Sequence, residues 1–256
     1  MESFTITKIK GNHKERVEDI VAQEVPFTVN LGNRELVTVL CSPFDLEDLT
    51  RGFLFTSGLV KGPDEIKKIV IDRQRWSADI DMAEVKSENL IFKRLYTSGC
   101  GKGVLFYNAL DIIYRSKIIS EFKVKSVRIT KLMQDFQKRS EVYLKTGGVH
   151  SAALADEKDI LAFREDIGRH NAIDKVIGHA LLRKNTFKNT LLITSGRISS
   201  EILFKVRRCG IPIVISGSAP TNQAVRHARE MNITIVGFVR GNRMNIYSAE
   251  ERIIPE

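Results

Sequence analysis

The sequence has few cysteines and no long apolar run, and each absence excludes a class of protein. Its 256 residues include three cysteines, Cys41, Cys100 and Cys209, which form no CxxC pair and no zinc-binding spacing. Sparse, unpaired thiols exclude a disulfide scaffold and predict a cytoplasmic location. No apolar run approaches the roughly 18 residues that a membrane helix needs. The first residues also lack the pattern of a secretory signal, so we expect none.

The chain carries more basic than acidic residues. Forty Lys and Arg against 31 Asp and Glu give a net charge of +9, which favours acidic partners such as nucleotides, phosphorylated cofactors or nucleic acid. Nine of the basic residues lie between residues 115 and 145. Few aromatic residues interleave with them, which argues against stacking on single-stranded nucleic acid.

The sequence predicts a small α+β domain over residues 1–140. Its first part, residues 1–24, is polar and is expected to extend over the surface. Alternating apolar residues at 27–39, interrupted at Gly32-Asn33, predict a β-hairpin. A helix is expected next, with Asp45 as its N-cap and Gly58 as its stop. Renewed alternation from Trp76 to Met82 predicts another strand.

Residues 141–256 predict an α/β domain. Predicted strands cover residues 149–154, 160–163, 191–193, 211–215, 233–239 and 244–247, and predicted helices surround residues 173–181, 202–206 and 224–231. This alternation predicts crossover units and a largely parallel sheet with both faces covered. Pro220 is expected in the first turn of the last helix.

Three loops that follow consecutive strands predict an anion site. They are Thr194–Ser200, Ser216–Thr221 and Arg240–Arg243, and we expect them to meet at the carboxyl ends of the strands. Backbone N–H groups and helix N-termini favour phosphate there, and Arg197, Arg240 and Arg243 could bind it in bidentate fashion. Each loop alone fits a simple cap or turn, but three together favour a phosphate-bearing ligand. The chain has no Walker or Rossmann fingerprint.

The junction at Glu165–Lys175 places cations where a helix disfavours them. Arg169 and His170 lie in the first turn of a predicted helix, and His170 shares a helix face with Asp174. The segment is either part of a site or an ion-paired cap in which Glu165 and Asp166 hold Arg169. Spacing alone does not decide between the two. His150, which is isolated near a strand, is interpreted as a structural residue.

Cys100 is the cysteine whose surroundings suit chemistry. Gly99, Gly101 and Gly103 open its loop, and Lys102 can stabilise a thiolate. An incidental exposed thiol is the alternative. Cys41 and Cys209 lie in apolar patterns, which predict buried, inert thiols.

Several motifs in this sequence resemble the formate dehydrogenase accessory sulfurtransferase family (FdhD/NarQ). The longest is the sixteen-residue stretch Phe163–Gly178, FREDIGRHNAIDKVIG. The others, in the same order and spacing, are Thr146–Ala153, Ser195–Arg197, Ser216–Thr221 and Gly237–Arg240. The resemblance extends from about Pro26 to Arg252.

The resemblance implies a sulfurtransferase. Family members accept sulfur from a cysteine desulfurase as a persulfide. They deliver it to the molybdenum or tungsten bis(guanine dinucleotide) pterin cofactor of formate dehydrogenase. The family's Cys-Gly-x-Cys-Gly loop reads Cys100-Gly101-Lys102-Gly103-Val104 here, so Cys100 inherits the acceptor role and Gly103 replaces the second cysteine.

The resemblance also implies a ligand site and a fold. The expected cofactor-binding residues are Phe238, Val239, Arg240, Gly241, Asn242 and Arg243, together with Ser195, Arg197, Ser218 and His170. The C-terminal domain is expected to be a three-layer, cytidine-deaminase-like α/β domain without zinc or any other protein-ligated metal. A homodimer is among the expected assemblies. The alternatives are a non-catalytic chaperone that binds the cofactor or the dehydrogenase and, less favoured, a nucleic-acid binder.

Overall fold

The computed structural model describes residues 1–32, 34–82, 117–183 and 186–256. The chain begins with strands β1 (Glu2–Lys10), β2 (His13–Val21), β3 (Val25–Leu31) and β4 (Arg34–Cys41), then helix α1 (Leu46–Thr56), a 3₁₀ turn (Pro63–Glu65), β5 (Ile66–Asp72) and β6 (Ser77–Met82). No helix within these ranges is long and apolar enough to span a membrane.

The second half of the described chain alternates strands and helices. It contains β7 (Val124–Lys125), α2 (Ser126–Lys138), α3 (Glu141–Thr146), β8 (His150–Ala155), β9 (Ile160–Asp166), α4 (Arg169–Leu182), β10 (Leu191–Thr194) and α5 (Ser200–Cys209). It ends with β11 (Ile213–Ser216), α6 (Asn222–Met231), β12 (Thr234–Arg240), β13 (Arg243–Ser248), a 3₁₀ turn (Glu250–Arg252) and β14 (Ile253–Ile254). A mixed α/β fold was expected and is confirmed.

A six-stranded sheet in the order β13-β12-β11-β10-β8-β9 forms the centre of the fold. Strands β10, β11 and β12 run parallel. The other three pairings, β10 with β8, β8 with β9 and β12 with β13, are antiparallel. The prediction of a largely parallel sheet is therefore wrong. Short turns join β8 to β9 and β12 to β13, and a short turn can connect only antiparallel neighbours.

Helices cover both faces of this sheet. Leu191 and Ile193 pack with Phe136 of α2 on one face, whereas Leu192 packs with helices α4, α5 and α6 on the other. This division follows from the two-residue period of a strand, which sends neighbouring side chains to opposite faces. Each fully buried Leu or Ile contributes about 1.5–3 kcal/mol of apolar burial.

Most local predictions from the sequence are confirmed, and the position of Pro220 is not. The hairpin β3–β4, helix α1 and strand β6 lie where they were expected. Residues 1–24 were expected to lie at the surface, and they do so as the exposed hairpin β1–β2. Pro220 lies outside the first turn of α6 and bridges to Ile198. Asp45 is the N-cap residue of α1, but its side chain makes no cap hydrogen bond. The domain boundary near residue 140 stays a prediction.

Helices α1 and α4 cross at two glycines. A Cβ atom on Gly52 would overlap the carbonyl oxygen of Asp174, and one on Gly178 would overlap the carbonyl oxygen of Asp48. Glycine is therefore required at both positions for the two helix backbones to touch. With α1 on one side and the sheet on the other, α4 is buried almost all round rather than along one stripe.

Buried charges reinforce this crossing. Lys205 of α5 lies 2.7 Å from a carboxylate oxygen of Asp174, which also accepts a 2.7 Å hydrogen bond from the Thr56 hydroxyl. At the other end of the crossing, Asp48 binds Arg164 at 2.8 Å and lies 3.3 Å from His179. Removal of one partner from a buried pair costs roughly 3–5 kcal/mol, because a charge is left uncompensated.

We predict that Gly52→Ala destabilises the protein strongly. The added methyl group must displace the backbone of α4, and such overpacking costs roughly 1–3 kcal/mol or more. Urea denaturation should show this loss of unfolding free energy. Gly62→Ala is the matched control, because a Cβ there meets nothing within 4 Å and the backbone is extended at φ −163°. Equal stability of the two variants would contradict the close crossing.

Candidate functional site

A pocket of about 390 Å³ opens at the carboxyl ends of the parallel strands. Ser195, Gly217 and Arg240, which follow or end β10, β11 and β12, form one side of it. The end of α2, helix α3 and Ser151 of β8 form the rest, through Met133, Phe136, Gln137, Ser140, Tyr143 and Leu144. The expectation that the three loops meet at one edge of the sheet is confirmed.

Backbone hydrogen bonds join the first two loops to each other and to the end of β12, which leads into the third loop. The Ile198 N–H donates to the carbonyl of Ala219 at 3.2 Å, and the Thr221 N–H donates to the carbonyl of Ile198 at 2.9 Å. The Phe238 N–H then donates to the Ser218 carbonyl at 3.1 Å. The loops are thus held in place by the chain itself, and a ligand would meet a preformed edge.

Gly237 and Phe238 shape the end of β12. Phe238 has a positive φ of 54°, and the pairing of β12 with β13 shifts register there, as at a β-bulge. A Cβ on Gly237 would come within 3.1 Å of the Ser218 carbonyl oxygen, so glycine allows the second loop to approach. The bulge turns the strand end and carries Arg240 to the pocket.

Two arginines lie opposite each other on the hairpin that follows the bulge. Arg240 pairs with Arg243 in the β12–β13 register, and both side chains are exposed. Like charges directly opposite each other on a sheet are destabilising. A bound phosphate would relieve that repulsion, since each guanidinium can form charge-assisted hydrogen bonds to it. Gly241 and Asn242 form the exposed turn between them.

Helix α3 forms a wall of the pocket that the sequence did not predict. The buried Glu165 carboxylate accepts hydrogen bonds of 3.0 Å from the N–H groups of Val142 and Tyr143, and so caps α3 at its N-terminus. The Ser140 and Ser151 hydroxyls lie 2.9 Å apart beneath it. Glu165 and Asp166 were a visible signal, because two adjacent acidic residues that directly precede a helix are candidates to cap a helix N-terminus.

His150 lies at the pocket rather than apart from it. Its Nδ1 atom is 3.1 Å from Ser195 Oγ, which also accepts a 3.0 Å hydrogen bond from the Ser151 N–H. Burial lowers the pKa of His150, and the nearby positive charges of Arg169 and His170 lower it further. The imidazole is therefore neutral at pH 7. The Arg169 guanidinium also makes this side of the site favourable for an anion.

The first turn of α4 faces the loop that follows β10. Arg169 packs there, since a Cβ on Gly196 would lie 3.0 Å from its side chain. His170 Nε2 lies 2.8 Å from a carboxylate oxygen of Glu201 at the start of α5, although the atoms are not aligned for a hydrogen bond. The His170 side chain is thus directed to the Glu201 carboxylate.

Asp166 and Lys175 form a fully buried ion pair beneath this turn. The two charged groups lie 2.7 Å apart with no exposed side-chain surface. The Asp166 carboxylate also accepts hydrogen bonds from the N–H groups of Ser42 and Gly168, at 3.0 and 2.8 Å. Asp166 thus forms its buried ion pair with Lys175, whereas the sequence suggested Arg169 as the partner. The pair fixes where α4 begins.

The described cysteines are both largely buried, although Cys209 also lines a cavity of about 1000 Å³ beside Phe55 and Phe187. Cys41 has no exposed surface and Cys209 is 9% exposed. Burial raises the pKa of Cys41 to about 12, with a further contribution from Asp166, and burial raises the pKa of Cys209 beyond its usual range. Both thiols remain protonated and inert at neutral pH, as expected from the sequence. Cys100 lies outside the described residues.

The expected cofactor-binding residues occupy different positions around this edge. Ser195 and Arg240 line the pocket, and Arg197 and Arg243 are exposed beside it. Ser218 contributes its backbone, because its carbonyl holds Phe238. Val239 is 1% exposed and packs in the core, so its side chain is unavailable to a ligand.

Comparison with known proteins places this architecture in a family. The model of the FdhD/NarQ family matches residues 22–254. A Bacillus subtilis protein named sulfur carrier protein FdhD is 42% identical over 240 residues, which cover 93% of this chain and 92% of that protein. A Listeria innocua protein of the same name is 43% identical over 252 residues, 97% of each chain.

A solved structure has the same fold. It is described as a formate dehydrogenase accessory protein from Desulfotalea psychrophila, and it superposes with a TM-score of 0.79 over 99% of both chains at 26% identity. The family match covers almost the whole chain, and the relatives are well above 30% identical. The chain therefore belongs to the FdhD/NarQ family.

Proposed function

We propose that this protein is a sulfur carrier for formate dehydrogenase. In this proposal, Cys100 accepts a persulfide sulfur from a cysteine desulfurase. The protein then delivers that sulfur to the molybdenum or tungsten bis(guanine dinucleotide) pterin cofactor, which binds at the strand-end pocket as a substrate. The name shared by the Bacillus and Listeria relatives supports the sulfur-carrier role.

The burial of Cys41 and Cys209 is the observation that carries the choice of Cys100. A persulfide carrier needs a thiolate that two partners can reach in turn. Neither buried thiol meets that requirement, because Cys41 has no exposed surface, Cys209 has only 9%, and both have raised pKa values. Cys100 is the remaining cysteine of the three in the chain.

The first transfer needs no group beyond two cysteines. The Cys100 thiolate attacks the outer sulfur of the desulfurase persulfide, and a new S–S bond forms on Cys100. The S–S bond of the donor breaks, and the desulfurase cysteine leaves as a thiolate that carries the electron pair. Lys102 beside Cys100 in the sequence favours the attacking thiolate.

The strand-end pocket is the proposed binding site for the guanine dinucleotide part of the cofactor. The diphosphate carries negative charge, which Arg240 and Arg243 can neutralise together. Ser195 offers a hydroxyl held by Ser151 and His150, and Arg169 adds positive charge nearby. We also propose that the C-terminal domain has a cytidine-deaminase-like arrangement.

A cofactor-binding chaperone without sulfur chemistry is the second candidate, since it would use the same pocket. The two differ at Cys100, because only a carrier needs that thiol. Mass spectrometry after incubation with a desulfurase and cysteine separates them. An added sulfur atom on Cys100 supports the carrier, and an unmodified Cys100 with intact cofactor binding supports the chaperone.

We predict that Cys100 is the only cysteine that reacts in the folded protein. At pH 8 the thiols of Cys41 and Cys209 stay protonated, since their pKa values are raised, and both are shielded from solvent. Iodoacetamide should therefore add one label to the native protein and three in urea, one for each cysteine. Cys100→Ala should take no label while folded. Native labelling of Cys41 or Cys209 would remove the basis for this assignment.

We also predict that guanosine diphosphate binds the pocket and that Arg240→Ala weakens the binding. Loss of one charge-assisted contact is expected to raise the dissociation constant by about tenfold, roughly 1.4 kcal/mol. Isothermal titration calorimetry measures this directly. Arg75→Ala, an exposed arginine in the β5–β6 turn, is the matched control and should bind as the wild type does. The same loss in both variants would mean that binding reflects overall charge only.

A further inference from the structure

Ser195 and His150 form a hydrogen-bonded pair at the edge of the strand-end pocket. Ser195 is exposed and lines the pocket, whereas His150, the first residue of β8, is half-buried. The His150 Nδ1 atom lies 3.1 Å from the Ser195 Oγ atom. A ligand in the pocket therefore meets the Ser195 hydroxyl, and the hydroxyl meets the imidazole. The imidazole can thus influence the ligand through the hydroxyl.

The backbone of β8 holds the Ser195 oxygen in one place. The Ser195 N–H donates to the Ser151 carbonyl at 3.0 Å, and the Ser195 Oγ atom accepts a 3.0 Å hydrogen bond from the Ser151 N–H. One of the two lone pairs of the hydroxyl oxygen is thus already used. The direction of the hydroxyl proton remains variable, because it can point either to His150 or into the pocket.

The protonation of His150 decides which of the two directions is available. An Nδ1 atom without a proton is an acceptor, so it takes the Ser195 hydroxyl proton and leaves a lone pair turned to the pocket. An Nδ1 atom with a proton donates to Ser195, whose own proton then points to the pocket. An ionised phosphate group has acceptor oxygens and no donor. It is therefore bound by the second arrangement and repelled by the first.

The charged groups around His150 favour its neutral form. Burial lowers the pKa of His150, and the positive charges of Arg169 and His170 in α4 lower it further. Asp166 of β9, the cross-strand partner of His150, has the opposite and smallest effect. Its carboxylate already pairs with Lys175 at 2.7 Å. An anion in the pocket would add the negative charge that stabilises a protonated imidazole.

We propose that His150 is a positioning residue that takes up a proton when a diphosphate binds the pocket, and that it thereby makes the Ser195 hydroxyl a donor to the ligand. This inference rests on the proposed anion site. In the complex, the imidazolium Nδ1–H donates to Ser195 Oγ, and the Ser195 O–H donates to a phosphate oxygen. The proton comes from solvent and returns to solvent when the ligand leaves. Arg240, which lines the same pocket, supplies a fixed charge instead.

Proton uptake sets the sign of the pH dependence of binding. The negative charge of the ligand raises the pKa of His150 in the complex above its value in the free protein. Affinity is therefore highest below the pKa of the free protein, falls as the pH rises, and levels off above the pKa of the complex. The total loss of affinity is about tenfold for each unit by which binding raises the pKa.

Isothermal titration calorimetry of the full chain with guanosine diphosphate glucose tests this proposal. Both phosphates of this probe are esterified, so they do not titrate between about pH 5.5 and pH 8, where histidine does. Wild-type affinity should fall by about tenfold over this range, and the heat measured at neutral pH should vary with the ionisation enthalpy of the buffer. His150→Gln should bind without this pH dependence. His13→Gln, an exposed histidine of β2, is the matched control and should keep it.

A second variant separates action through the hydroxyl from a simple effect of charge. Ser195→Ala should weaken binding at acidic pH and lose most of the pH dependence, because no hydroxyl proton remains to be redirected. NMR of the labelled imidazole nitrogens should show both protonated in the wild-type complex. An affinity that is independent of pH, a neutral His150 in the complex, or full pH dependence in Ser195→Ala or His150→Gln would overturn the proposal and leave the anion site in place. Absence of binding at every pH would overturn both.

Discussion

The contact between the backbones of α1 and α4 at Gly52 and Gly178 is the constraint on which the rest of the structure depends. No side chain larger than hydrogen fits at either position. The contact joins the four-stranded sheet β4-β3-β6-β5, on which α1 packs, to the six-stranded sheet. It leaves Asp174 buried beside α5, where Lys205 must neutralise it. A buried carboxylate next to a helix crossing is costly unless it is paired, so the crossing and the ion pair support each other. One hydrophobic core then spans both halves of the described chain.

This constraint reaches the candidate site through the start of α4. Because α4 is fixed against α1, its first turn is fixed against the loop that follows β10, and the buried Asp166–Lys175 pair sets its first residue. The preceding strand residue, Glu165, caps the short helix α3 and so places the wall of the pocket. Three charged residues within one segment thus hold the pocket between the strand ends and α3. The pocket is preformed, as expected for a site that recognises a charged ligand.

The sequence predicted those features that depend on local pattern, and it missed those that depend on tertiary pairing. The strand-end loops were predicted because glycine, serine and arginine follow buried strands. The antiparallel direction of β8 was not, since strand direction depends on long-range pairing that periodicity does not encode. The roles of Glu165 and Asp166 were also missed, because their partners, the α3 backbone and Lys175, are set by the fold. His150 was interpreted as a hydrogen-bonded structural residue, but its partner Ser195, 45 residues along the chain, could not be identified from the sequence.

The central claim is that one chain loads sulfur at Cys100 and delivers it at the strand-end pocket, so the two steps should be separable. The most direct measurement follows radiolabelled sulfur from a desulfurase through the protein to the pterin cofactor, in Cys100→Ala and Arg240→Ala variants. The account predicts that Cys100→Ala carries no label, whereas Arg240→Ala carries label on Cys100 but transfers it slowly. Delivery at the wild-type rate by Cys100→Ala would contradict the account, because sulfur would then reach the cofactor without the proposed carrier.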